Sequence, residues 1–65
     1  MVVKVIELVG SSPKSWEEAT KEAVAKAQES VKDIVGVDVM AQTAVVKNGS
    51  ITEYRANVKI GFVVE

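Results

Sequence analysis

At 65 residues, with a formal net charge of -1, one Arg, no Cys and no His, the chain reads as a single domain, residues 1–65, in which disulfides are excluded and zinc or haem would lack its usual ligands. So short a domain hides only about 60% of the surface its unfolded chain exposes, and 48% of the residues are hydrophobic, fourteen of them Val, so association with further copies is expected to complete its stability. Interspersed charge without a basic cluster argues against nucleic acid; with no leader, no lipidation motif and no apolar run near the roughly 20 residues that cross a bilayer, the expected location is cytoplasmic and off the membrane.

In chain order, Val2 to Val9 is a β-branched run interrupted by Lys4 and Glu7, which predicts a strand buried mainly on one face. Gly10 is expected to end it, and Ser11-Ser12-Pro13-Lys14 to form a short loop.

The spacing then predicts one amphipathic helix from Ser12 to Ile34. Ser15-Trp16-Glu17-Glu18 has the pattern of a capping box, with the Ser15 hydroxyl accepting from the Glu18 amide and the Glu18 carboxylate reaching back. Trp16, Ala19, Thr20, Ala23, Ala27, Val31 and Ile34 recur at steps of three and four, which draws one stripe for the core. The Glu17–Lys21 and Glu22–Lys26 spacings suit ion pairs on a wet face, each contributing roughly 0.2–0.5 kcal/mol.

Beyond Ile34 the period changes to two. Val35, Val37, Val39, Ala41, Thr43 and Val45 alternate with Gly36, Asp38, Met40, Gln42, Ala44 and Val46, predicting a long strand. Lys47-Asn48-Gly49-Ser50 is a hairpin signal, because a type I′ turn needs positive φ at both central residues. The third strand runs from Ile51 to about Val64. Its Tyr54–Phe62 side is expected to face the helix, and its Arg55–Lys59 side to face solvent or a neighbouring subunit. The fold class is therefore α+β: β-α-β-β, a three-stranded antiparallel sheet packed on one amphipathic helix.

Catalytic chemistry is poorly represented. General-base His, nucleophilic Cys, a nucleophile elbow and a phosphate-cradling glycine loop are all missing from the sequence, so no enzyme is expected. Two residues are chemically distinctive. Arg55 projects from mid-strand, where its fork suits a carboxylate, a phosphate, a heterocycle edge or an ion pair with an acid such as Asp38 of another subunit. Gly36, among β-branched residues, marks a bulge, a close approach or a hole.

The run Val3-Lys4-Val5-Ile6-Glu7-Leu8-Val9-Gly10, the following Ser11 to Ala19, and Tyr54-Arg55 with Val58-Lys59-Ile60-Gly61-Phe62 together resemble the dodecin family from end to end. The resemblance implies a hollow homododecamer, many members of which sequester flavin (FMN or riboflavin) in pairs at subunit interfaces, as storage without turnover. It places the cofactor-binding residues at Val35, Gly36, Val37, Asp38 and Arg55. Flavin-holding members stack the ring on a Trp at the position of Gly36, and many have Gln at the position of Arg55. Loss of the Trp is expected to weaken flavin binding. The alternatives are a flavin-free assembly like the calcium-associated branch, with oxygen ligands from Glu7, Asp38 or Glu53, or a purely structural shell.

Overall fold

The computed structural model describes residues 1–64; Glu65 lies outside the described residues. Its elements are β1 (Val2–Ser12), α1 (Trp16–Ala27), β2 (Ile34–Lys47) and β3 (Ser50–Val64). The sheet order is β1-β3-β2, and β3 pairs antiparallel with both neighbours. α1 carries the chain across β3 and lies over β1 and β3, scarcely touching β2. No helix among the described residues is long and apolar enough to cross a membrane.

Three expected boundaries or patterns differ. α1 stops at Ala27, capped by Gln28, rather than reaching Ile34. The Glu29 and Ser30 amides turn back to the Lys26 and Ala27 carbonyls, tightening the last turn. Val31 and Ile34 fit the helical spacing because they still pack on the core, Ile34 from the first position of β2 and Val31 from the connecting segment. Asp33 there takes φ 60°, and its carbonyl accepts from the Val63 amide at 3.0 Å.

The second difference is β1, which continues through Gly10 to Ser12, with Ser12 opposite Tyr54. Gly10 is a place of close approach rather than a stop: a Cβ there would overlap the Ala19 carbonyl and stand 3.0 Å from the Ala23 Cβ. The third is β2, whose simple alternation is broken by bulges between Ile34 and Gly36, Val39 and Ala41, and Val45 and Val46. Each bulge admits an extra residue and resets which face follows. Val37 and Val39 thus share the helix side with Gln42 and Ala44, opposite Ile60, Val58, Ala56 and Tyr54.

The core joins Ala19, Ala23 and Ala27 of α1 to Ala56, Val58 and Ile60 of β3, confirming which side of β3 faces the helix. Ser15 accepts from the Glu18 amide at 3.0 Å. The Glu18 carboxylate lies instead towards Lys21 at 3.8 Å, and Lys26 pairs with Glu29 at 3.3 Å instead of Glu22. Glu17 meets Lys21 at 3.3 Å as expected. Trp16 stands edge-on to Tyr54, ring centroids 4.9 Å apart, and its Nε1–H donates to the Thr43 carbonyl at 2.8 Å.

The small core leaves much apolar surface uncovered. The accessible area is 4606 Å², against roughly 4,000 Å² for a compact monomer of this mass. Val2, Val5, Val9, Val35 and Val46 are each more than half exposed, and extents of 48 × 19 × 14 Å describe a flat, elongated unit.

Candidate functional site

The sheet face away from α1 is built in cross-strand rows, since directly opposed residues of antiparallel strands point the same way. Glu7, Lys59 and Asp38 form one row, Val9, Asn57 and Ala41 the next, and Ser11, Arg55 and Thr43 the third. At the other end, Gly61 of β3 lies between Val5 and Gly36.

Around that glycine pair is a concavity of about 330 Å³, lined by Val3, Val5, Val35, Gly36, Val37, Asp38, Lys59 and Gly61. Its floor is bare backbone, because Gly36 faces Gly61. A Cβ on Gly36 would meet nothing within 4 Å, whereas one on Gly61 would stand 3.2 Å from Val3 Cγ1. Gly36 is therefore both a bulge position and a hole. Valines supply the walls, and Asp38 with Lys59 supplies the polar end.

Four of the five expected site residues, Val35, Gly36, Val37 and Asp38, line this concavity. Arg55 does not: it lies further along β3, where its Nε–H donates to Glu53 Oε2 at 2.6 Å. Lys59, Gly61, Val3 and Val5 join the lining through strand register alone, which no local pattern along the chain signals. A second concavity of about 460 Å³ lies between β1 and α1, with Gly10, Glu22 and Lys26 among its lining residues.

The acids considered for calcium separate into two places. Glu7 and Asp38 flank Lys59, whereas Glu53 is six residues away along β3, roughly 20 Å at strand rise. The described residues contain no group of three His, Cys, Asp or Glu side chains able to hold a metal ion. Calcium takes 6–8 oxygens as a rule, so one subunit alone supplies too few. Flavin fares no better on a single subunit, since none of the concavity's lining residues is aromatic and a planar ring would find no stacking surface.

One further polar atom stands out. Asn57 Oδ1 is buried without a hydrogen-bond partner, a condition costing roughly 1–3 kcal/mol when left uncorrected.

Comparison with known proteins gives a consistent result. A family model described as Dodecin matches residues 2–65. Calcium dodecin of Mycobacterium tuberculosis is 41% identical over 61 residues, covering 94% of this chain and 86% of that protein. A crystal structure of the Mycobacterium tuberculosis protein, described as a calcium-chelating immunodominant antigen with a novel calcium-binding site, superposes with a TM-score of 0.86 at 41% identity, covering 100% of this chain and 93% of that one. Dodecin from Streptomyces coelicolor superposes with a TM-score of 0.94 at 25% identity, covering 98% of this chain and 91% of the other.

Proposed function

Since this chain belongs to the dodecin family, we propose that it is a non-catalytic binding and storage protein, assembled as a homododecamer, whose bound species is calcium rather than flavin. The observation that carries the choice of ligand is Gly36, whose side-chain position opens on empty space in a concavity without an aromatic wall. A flavin would gain contact with valines but no ring to stack on. The 41% identity to a protein named calcium dodecin supports the same choice. Because one subunit's acids number too few and lie apart, the ion is shared between copies, with Asp38 and Glu7 as the contributed carboxylates.

Flavin is the second reading, favoured by the concavity itself: about 330 Å³ with a mostly apolar lining and one polar end at Asp38 and Lys59. Native mass spectrometry of the purified protein, before and after a chelator, tests both. The expected spectrum is a dodecamer carrying calcium-sized increments that the chelator removes. Flavin-sized increments would overturn the calcium reading and keep the family's other chemistry, while a bare dodecamer that takes up neither added calcium nor added FMN would leave a structural shell.

A further inference from the structure

The chain has two asparagines, and the fold places them in opposite surroundings. Asn57 lies in mid-strand on β3, opposite Val9 and Ala41, with its Oδ1 buried and the fully buried Val58 after it. Asn48 stands exposed at the tip of the β2–β3 hairpin, with exposed Gly49 after it. The ladder closes at Lys47 opposite Ser50, so the Gly49 amide lies outside it. Among the described residues no backbone hydrogen bond of the turn engages that N–H, and a Cβ on Gly49 would meet nothing within 4 Å.

The tip is also free of the rest of the fold. Pairing of β1 with β3 ends at Tyr54, and the Trp16 contacts of α1 reach Tyr54 and the Thr43 carbonyl. Positions 45–53 continue past them as a two-stranded arm. An exposed turn at the end of such an arm opens locally without disturbing the core.

We propose that Asn48 is a site of spontaneous modification, where the neutral side-chain amide is exchanged for a carboxylate with water as the only co-reactant. The Gly49 nitrogen gives its proton to solvent hydroxide and attacks Asn48 Cγ. An N–C bond forms, the bond from Cγ to its own nitrogen breaks, and ammonia leaves a cyclic imide behind. Water then opens the ring. Attack at Cγ yields aspartate on the original backbone, and attack at the Asn48 main-chain carbonyl yields isoaspartate, with the chain routed through the β-carbon. Attacking and attacked atoms belong to adjacent residues, so ring closure is intramolecular, and without a Cβ the Gly49 nitrogen is unhindered. Asn57 has neither advantage, since its neighbour is β-branched and its strand is paired on both sides.

Either product lowers the formal net charge of -1 by one, beside exposed Val46 and Ile51. Aspartate tolerates the φ of 52° at this position and keeps the turn. Isoaspartate adds a backbone carbon between Lys47 and Ser50, which a two-residue turn cannot absorb without losing that pair. The hairpin tip thus records the age of the molecule in charge and in register.

The full chain, held for days in mildly alkaline buffer with and without guanidinium, tests this by peptide mass spectrometry, released ammonia and enzymatic methylation of isoaspartate. In the folded protein Asn48 is expected to convert, with isoaspartate among its products, while Asn57 stays an amide. Gly49→Ala should slow conversion on the order of tenfold. An Asn48 that keeps its amide when folded but converts when unfolded would overturn the proposal. So would equal conversion of Asn48 and Asn57 in the folded protein, a comparison that needs no variant.

Discussion

Gly10 of β1 lies so close beneath Ala19 of α1 that no side chain fits between them. The helix rests on the sheet through small residues, Ala19, Ala23 and Ala27 above and Ala56 below. Gly10→Ala must push α1 away, and overpacking of this kind costs roughly 1–3 kcal/mol, at times more. A lower midpoint in urea, at the same protein concentration as the parent, is the expected result.

Gly36→Trp should behave in the opposite way. Its side-chain position is open to 4 Å, so stability is expected to change little. The new ring supplies the missing stacking surface, worth roughly 0.5–1.5 kcal/mol beyond area burial, or about two- to tenfold in affinity. Titration of FMN, followed by quenching of its fluorescence, measures the difference from the parent.

Trp16 joins helix start, β3 and β2 through its ring and one hydrogen bond. Trp16→Phe keeps an aromatic edge against Tyr54 but leaves the Thr43 carbonyl without its donor. The expected loss is about 1 kcal/mol, and Trp16→Ala should lose clearly more, both read from denaturant unfolding at one fixed concentration.

At the hairpin, Asn48 and Gly49 take φ of 52° and 78°. Gly49→Ala forces a Cβ into the left-handed region and should cost roughly 1–2 kcal/mol. Asn48→Gly should be tolerated, and thermal melts of the two variants, compared side by side, check that order.

Assembly should contribute directly to folding, because so much valine surface is uncovered in one subunit. The unfolding midpoint is expected to rise with protein concentration. A midpoint independent of concentration, in a chain that sediments as a monomer, would contradict this.

Much of the fold was legible because it rests on local chemistry. Ser15 marks a helix start by its hydroxyl, Asn48-Gly49 marks a turn by its tolerance of positive φ, and the alternation from Thr52 to Val64 marks a strand by which side is apolar. What failed was local chemistry with two meanings. Val31 and Ile34 are apolar because they meet the core, and spacing alone does not tell a helix from a segment that folds back onto it. Gly10 suits a strand end and a helix contact equally well. Of the β2 bulges, the one at Gly36 is signalled by its glycine, whereas those at Val39–Ala41 and Val45–Val46 are backbone events that no residue in the run announces. In the candidate site, Val35 to Asp38 are adjacent along the chain and come from the family resemblance, whereas Lys59, Gly61 and Val5 join them through strand register. Register also sets Arg55 apart within one subunit.

The sheet order has a consequence for how the protein is made. β1 and β2 both pair only with β3, the last of the elements to leave a ribosome. Until β3 emerges, neither earlier strand has its partner, and the alanines of α1 have only β1 beside them, without Ala56, Val58 and Ile60 to complete the core. The hairpin can then close at once across its short turn, whereas β1 must be retrieved from the far end of the chain, a larger loop with a larger entropic cost. A nascent chain stalled before β3 therefore exposes valine strands with no native pairing available, and the order of synthesis makes completion of the subunit a late, cooperative event.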